Sequence, residues 1–294
     1  MTRRLLCVGD LNADITVAAP GGITVGSDSP GTVSMSGGGS AANAAAWACR
    51  SGTTTRFVGV VGDDSLGSFL SDELACHGVE VRVIRRPDVA SRAVAVIVGA
   101  DGDRSMVSAL DPSTGFRPRD IDPTWFDDVA WLHFTAYTYL QPGGRSVVAG
   151  LVNVATNRSI PWSVDPSSSR MLAETAQRAE VIDAFDGAAV LFPNRDEACW
   201  LADTTDVEEA AVRLLDTATT VVVTCGRDGA VVARRGSDAF RVDARRVDVI
   251  NTLGCGDAFA GGFVSGRLDG LDDRESADRA TTSAAHAARC ATAR

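Results

Sequence analysis

The sequence predicts an α/β protein: a mostly parallel sheet covered by helices on both faces, with a small separate β-sheet beside it. Three observations carry this expectation. From residue 120 onward, short β-branched runs alternate with amphipathic segments, the pattern of a parallel sheet with helical crossovers. Residues 15–36 and 80–108 instead show strand-like alternation with Gly and Pro and no helix between the strands. The length of 294 residues, with 45% hydrophobic content and a mean hydropathy of +0.05, is enough for a full core. The expected organisation is one α/β domain, residues 1–294, with a β-lid built from insertions at about 15–36 and 80–108.

The elements follow in chain order. Residues 5–8 form a first buried strand whose apolar run stops at Asp10, with Asn12 and Asp14 close behind. That run is too short for Arg3-Arg4 to open a signal segment. Residues 15–17 and 32–34 are strands of the small sheet. A helix at 41–50 ends at Ser51-Gly52, where glycine suits the left-handed position after a helix. Strand 57–61 and helix 66–77 are joined by a turn containing Asp63 and Asp64, read as turn-formers rather than ligands. Residues 81–84 and 104–108 complete the small sheet, and 93–98 is a further strand. Strand 129–134 leads to Tyr137 and Tyr139, read as core or rim packing. Helix 145–157, strands 162–165 and 189–192, and helix 196–202 continue the alternation. Helix 207–215 starts with an acidic capping box, Asp206 at the cap and Glu209 three residues on. Strand 221–224 and helices 257–268 and 277–290 complete the pattern. No apolar stretch approaches the ~20 residues that cross a bilayer.

Composition excludes several chemistries. All 28 Lys+Arg residues are Arg, so there is no Lys Schiff base, no phosphate loop ending in Gly-Lys-Ser/Thr and no strand lysine of the protein-kinase type. With 38 acidic residues the net charge is -10 and the pI about 4.8, and no basic stripe exists for a nucleic-acid backbone or a membrane surface. A compact anion remains compatible, because helix N-termini and a metal ion hold one without lysine. Seven cysteines without a Cys-x-x-Cys pair read as reduced thiols of a cytoplasmic protein. Three dispersed histidines give no structural zinc spacing.

The chemistry concentrates in residues 248–263. Gly254-Cys255-Gly256 is a turn that backbone can use to approach a ligand, and the small apolar run after Asp257 reads as a buried helix. Free amides at the start of that helix converge on one point, where the macrodipole adds positive potential. Asp257 at the same end could take a proton from an attacking hydroxyl while the amides stabilise a transferring phosphoryl group. Alone, Gly-x-Gly-Asp serves equally well as a plain turn with a first-turn acid. A Rossmann fingerprint fits poorly, since no nucleotide-binding βαβ unit follows it.

Asn251-Thr-Leu-Gly-Cys-Gly-Asp257 resembles the Asp-Thr-x-Gly-Ala-Gly-Asp signature of the ribokinase-like (phosphofructokinase B-type) carbohydrate kinases. Five more segments resemble that family in its own order: Gly9-Asp-Leu-Asn-Ala-Asp14, Gly38-Gly-Ser-Ala-Ala-Asn43, Val58-Gly-Val-Val-Gly-Asp-Asp-Ser-Leu-Gly67, Asn194-Arg-Asp-Glu197 and Val223-Thr-Cys-Gly-Arg-Asp-Gly229. Together they span residues 5 to about 265. The resemblance implies a ribokinase-like three-layer α/β sandwich and ATP-dependent phosphorylation of a hydroxymethyl group of a small sugar. A nucleoside, fructose or 2-keto-3-deoxygluconate kinase, or a catalytically silent sugar or nucleotide sensor, are the alternatives; a nicotinamide-dependent oxidoreductase is the weakest.

Carried over by position, the resemblance makes Asp257 the base and the amides of Gly254, Cys255 and Gly256 the anion hole. Asn12, Asp14, Gly38, Gly39 and Asn43 would hold sugar hydroxyls; short polar side chains and bare backbone suit such a ligand. Asn194 and Glu197 would organise phosphates and Mg²⁺, while Thr224, Gly226, Gly229 and Asn251 would serve the nucleotide. Duller roles exist for Asn43, bonding within its own helical turn, and for Glu197, as a first-turn helix acid. The lid would cover the sugar and offer a homodimer surface. Two positions depart from the pattern: Asn251 replaces the first Asp, and Cys255 replaces Ala, as a small residue or as an oxidisable thiol. The last predicted helix also finishes close to Arg294, leaving no later loop, which speaks against activation by a monovalent cation such as K⁺.

Overall fold

Strand β1 (Arg4–Gly9) shows why the central sheet is covered on both sides. Leu5 and Cys7 enter one hydrophobic cluster and Leu6 and Val8 the other, each at most 1% exposed. The computed structural model describes residues 3–99, 104–109 and 115–294. After β1 come β2 (Asn12–Ala18), β3 (Thr32–Gly38), α1 (Ser40–Arg50), β4 (Thr55–Gly62), α2 (Ser65–Cys76), β5 (Glu80–Arg86), β6 (Ala93–Val98) and β7 (Arg104–Ser108). The chain continues through β8 (Val129–Thr135), α3 (Ala136–Tyr139), α4 (Gly144–Asn157), β9 (Trp162–Asp165), α5 (Ser169–Thr175), α6 (Arg178–Phe185) and β10 (Ala188–Leu191). It closes with α7 (Arg195–Ala202), α8 (Val207–Arg213), β11 (Ala218–Thr224), β12 (Ala230–Arg234), β13 (Ser237–Val242), α9 (Cys255–Leu268) and α10 (Asp273–Ala288).

The large sheet has the order β13-β12-β11-β10-β9-β8-β1-β4-β5, parallel throughout except for β12 and β13. One face packs on α4, α6, α7 and α8, the other on α1, α2, α9 and α10. The small sheet has the order β3-β2-β6-β7. The chain passes from one sheet to the other across Asp10 and Leu11, so the end of β1 and the start of β2 lie side by side.

Two assignments change. Residues 81–84, expected in the small sheet, belong to β5 at the edge of the large one, paired in parallel with β4. Residues 93–98 form β6 and lie alongside β2 in the small sheet. Alternation looks alike in both segments; α2 decides the matter, because its crossover returns the chain beside β4. Residues 100–103 of the second expected insertion lie outside the described residues. Helices α5 and α6 and the β12–β13 hairpin have no counterpart among the expected elements. Helix α10 begins four residues earlier than expected, at a capping box in which Asp272 accepts from Glu275 N at 2.8 Å and Glu275 accepts from Asp272 N at 3.0 Å.

Candidate active site

The starts of α1 and α9 meet beside the carboxyl end of β1. Helix α1 follows Gly39 at φ 104°, and a Cβ there would stand 2.4 Å from Asp10 O, so only glycine fits. Gly39 has no side chain to cap the helix. Asp10 does so from 30 residues away, accepting from Ser40 N at 2.8 Å and Ala41 N at 3.2 Å. The α1 face is alanine-rich and α9 presents Gly261, whose added Cβ would lie 2.5 Å from Ala44 O. The two helices therefore touch backbone to backbone, which brings Ser40 and Asn43 to Asp257.

Asp257 accepts from Ser40 Oγ on one oxygen and from Asn43 Nδ2 at 2.8 Å on the other. Burial pushes its carboxyl up to about 6, with Ser40 and Asn43 holding it down and the charges of Asp10 and Asp14 adding to the rise. Asn43 makes no local backbone bond with its side chain; it spans between Asp257 and Arg294, accepting from Arg294 Nη1 at 3.1 Å. Asn12 and Asp14 lie on one face of β2, both buried, with Asn12 Nδ2 donating to Asp14 at 2.8 Å. Burial also lifts Asp14 to about 6, opposed chiefly by the Arg294 guanidinium. Gly38 pairs with Asn12 across the ladder, and a Cβ on it would meet the Asp14 carboxyl at 2.3 Å. The structure thus brings Asn12, Asp14, Gly38, Gly39, Asn43 and Asp257 into one polar cluster.

Gly254 precedes α9 at φ 77°, and a Cβ would lie 2.6 Å from Ala293 O. The Cys255 N–H bonds weakly to Thr252 O at 3.3 Å, and Gly256 and Asp257 supply further first-turn amides. Cys255 and Gly256 face a cavity of about 610 Å³ whose other wall carries Thr224, Gly226 and Gly229. That volume falls within the roughly 300–1,000 Å³ of ligand pockets. Phe259 and Ala285 make its floor apolar enough for a flat ring. Asn251 does not line this cavity. Its side chain accepts from Leu253 N and donates to Ala291 O, both at 2.9 Å, so it braces the loop. An aspartate cannot make that donation, which accounts for the asparagine. Helix α10 ends at Ala288, two residues before the expected Cys290, and residues 289–294 follow it and pack on this loop.

Asn194 and Glu197 form a capping box at α7: Glu197 N donates to Asn194 Oδ1 at 3.0 Å, and Asn194 N donates to Glu197 at 2.9 Å. Asn194 pairs with Thr224 in an isolated bridge, placing this motif beside the nucleotide-sized cavity. Glu197 is 2% exposed and burial lifts it to about 7. Asp165, at the end of β9, is raised well above the carboxylate range by burial and by the charges of Glu197 and Asp257. Two crowded carboxylates, Glu197 buried and Asp165 half-buried, are a donor set that a cation relieves. Among the described residues, no group of three acidic, His or Cys side chains forms a metal cage. Burial, joined by the charges of Asp10, Asp257, Asp165 and Glu197, pushes the Tyr137 phenol up, while Tyr139 is buried against Phe185. Asp64 caps α2 through Gly67 N at 2.6 Å, a turn-building role, and Asp63 is exposed.

Sequence reasoning missed Asp10, Ser40, Asp165 and Arg294. Ser40 sits inside the glycine segment quoted for α1, and Asp165 is a polar residue ending a buried strand, so both left a local signal. Asp10 left the same kind of signal, ending the first buried strand inside the quoted Gly9–Asp14 segment; Arg294 left none, since its partners are remote in sequence.

The family model for pfkB family carbohydrate kinases matches residues 2–294. The chain is 29% identical over 242 residues to aminoimidazole riboside kinase of Salmonella typhimurium, covering 77% of this chain and 72% of that protein. It is 29% identical over 266 residues to a fructokinase of Klebsiella pneumoniae, covering 87% and 85%. Its fold is similar to that of adenosine kinase from Sinorhizobium meliloti, with a TM-score of 0.90 at 23% identity, covering 100% of this chain and 96% of that one.

Proposed function

The chain belongs to the pfkB family of carbohydrate kinases, and on that premise we propose that it transfers the γ-phosphoryl group of ATP to a hydroxymethyl group of a small sugar. The observation that carries this reading is Asp257, a carboxylate lifted to about 6 at the start of a helix whose first amides face a nucleotide-sized cavity. The substrate oxygen attacks the γ-phosphorus as its proton passes to Asp257. The bond from that phosphorus to the bridging oxygen breaks, and ADP leaves with the electron pair. Amides of Gly254, Cys255 and Gly256 receive the charge that develops on the transferring group. Asn12, Asp14, Gly38, Gly39 and Asn43 bind sugar hydroxyls, and Thr224, Gly226 and Gly229 contact the nucleotide. Glu197 and Asp165, with Asn194 at hand, would hold Mg²⁺, whose chemistry is to screen the negative charge of the phosphates.

The domain reading is a single α/β unit over 1–294 with the small sheet as its lid. Exposed Val33, Met35, Met106 and Val107 on that sheet support a homodimer through it. Seven dispersed cysteines without a Cys-x-x-Cys pair support a reducing, cytoplasmic setting, and among the described residues no helix is long and apolar enough to cross a membrane. The test is ADP release across a panel of ribose, fructose, 2-keto-3-deoxygluconate and ribosides with ATP and Mg²⁺. Turnover of at least one, abolished in Asp257→Ala, is the expected result. No turnover above background, or an unaffected variant, would sink the assignment.

A further inference from the structure

We propose that Arg294 is a positioning residue for Asp257: its guanidinium fixes the side-chain amide of Asn43 in the one orientation that donates to that carboxylate. The proposal rests on the reading of Asp257 as the base, which it deepens. An asparagine amide is nearly symmetric in shape, with an acceptor at one end and two donors at the other. Turned over, Asn43 would present Oδ1 to the Asp257 oxygen that it now contacts through Nδ2 at 2.8 Å, setting two acceptors face to face. Arg294 removes that ambiguity. A guanidinium has only donors, and its Nη1 stands 3.1 Å from Asn43 Oδ1, so the oxygen end must face Arg294 and the nitrogen end must face the base.

The guanidinium is itself held in place. Nη1 also donates to Gly38 O at 3.0 Å, while Nε and Nη2 donate to Glu73 at 2.9 and 2.6 Å. Its side chain is 0% exposed, so this charge is retained in the interior by these partners and by the nearby Asp14 carboxyl. It closely approaches Gly37, where any Cβ would stand 2.0 Å from Nη2. The backbone that carries it is anchored as well, with Trp47 Nε1 donating to Ala293 O at 2.9 Å and Asn251 Nδ2 to Ala291 O at 2.9 Å. The relay from Glu73 through Arg294 and Asn43 to Asp257 therefore links α2, the segment after α10, α1 and α9.

The test follows the Asp257 carboxyl directly, by ¹³C titration of aspartate-labelled full-length protein, with Asp257 assigned by its loss in Asp257→Asn. Arg294→Gln is expected to raise the Asp257 midpoint by at least half a pH unit. In an Asn43→Ala background the same substitution is expected to shift nothing, because the amide through which it acts is gone. A bare field effect of the guanidinium would persist in that background. That persistence, or an unmoved midpoint in Arg294→Gln, overturns the proposal. Should Arg294→Gln not fold, Glu73→Gln loosens the same guanidinium, and a smaller rise that vanishes without Asn43 is expected; no rise overturns the proposal. Failure of the base reading is a separate result, seen as turnover retained in Asp257→Asn whatever the titration shows.

Discussion

Replacing Asp257 by asparagine separates catalysis from stability with opposite signs. The carboxyl stands at about 6 in the folded protein against an ordinary 3.8, so the folded state takes up its proton more readily than the unfolded chain. For an acid raised in this way, stability is greatest below pH 4, falls as pH rises through that interval, and levels off above about 6. At 1.36 kcal/mol per pH unit the ionised carboxylate costs the fold about 3 kcal/mol at neutral pH. The Asp257→Asn substitution removes that charge. The new side-chain amide still accepts from Asn43 Nδ2 and donates to Ser40 Oγ, whose own hydroxyl hydrogen then loses its acceptor, at a cost of about 1–3 kcal/mol. The net change at pH 8 runs from about zero to a gain of about 2 kcal/mol, or several degrees in Tm at about 2–4 °C per kcal/mol. Turnover should fall about 10²–10⁴-fold, the usual worth of a general base. Coupled ADP release and thermal melts at pH 5 and pH 8 check both halves. Turnover within tenfold of wild type, or a Tm at pH 8 lowered by more than five degrees or so, would refute the reasoning.

Gly254→Ala places a side chain at φ 77° with its Cβ 2.6 Å from Ala293 O. The left-handed backbone alone costs roughly 1–2 kcal/mol; a lower Tm and a kcat reduced more than tenfold with the sugar KM little changed are expected, and a pure KM effect would contradict the anion-hole role. Cys255 lines the 610 Å³ cavity, so its alkylation, followed by peptide mass spectrometry, should slow markedly when ATP is present, and equal rates would separate cavity from nucleotide. His133 is buried and pushed down to about 4, so the folded state binds its proton less readily than the unfolded chain. Its contribution, about 3 kcal/mol, is present above pH 6.5 and lost as pH falls toward 4, and His133→Asn should flatten the denaturation midpoint over that range.

Much of this site is visible before any coordinates. Glycines 38, 39, 254 and 256, the carboxamides Asn12 and Asn43 and the acids Asp14 and Asp257 stand in short segments whose residue types alone suggest a small polar ligand and a phosphate. The run of strands and helices after residue 120 is equally local, since period-2 and period-3.6 patterns are written within each segment. Pairing partners are another matter. Residues 81–84 and 93–98 alternate alike, and a crossover helix, not their own pattern, sends one to the large sheet and the other to the small one. The same holds for how Asp257 is held. Ser40 meets Asp257 across 217 residues of chain, and Arg294 meets Asn43 across 251. An arginine's ability to orient an amide depends on a separation of about three ångströms, and no spacing along the chain encodes a distance made by folding. The residue types and the helix starts that give this protein phosphate chemistry without lysine are legible in its letters. Which amide faces Asp257, and what holds it there, arises from long-range packing.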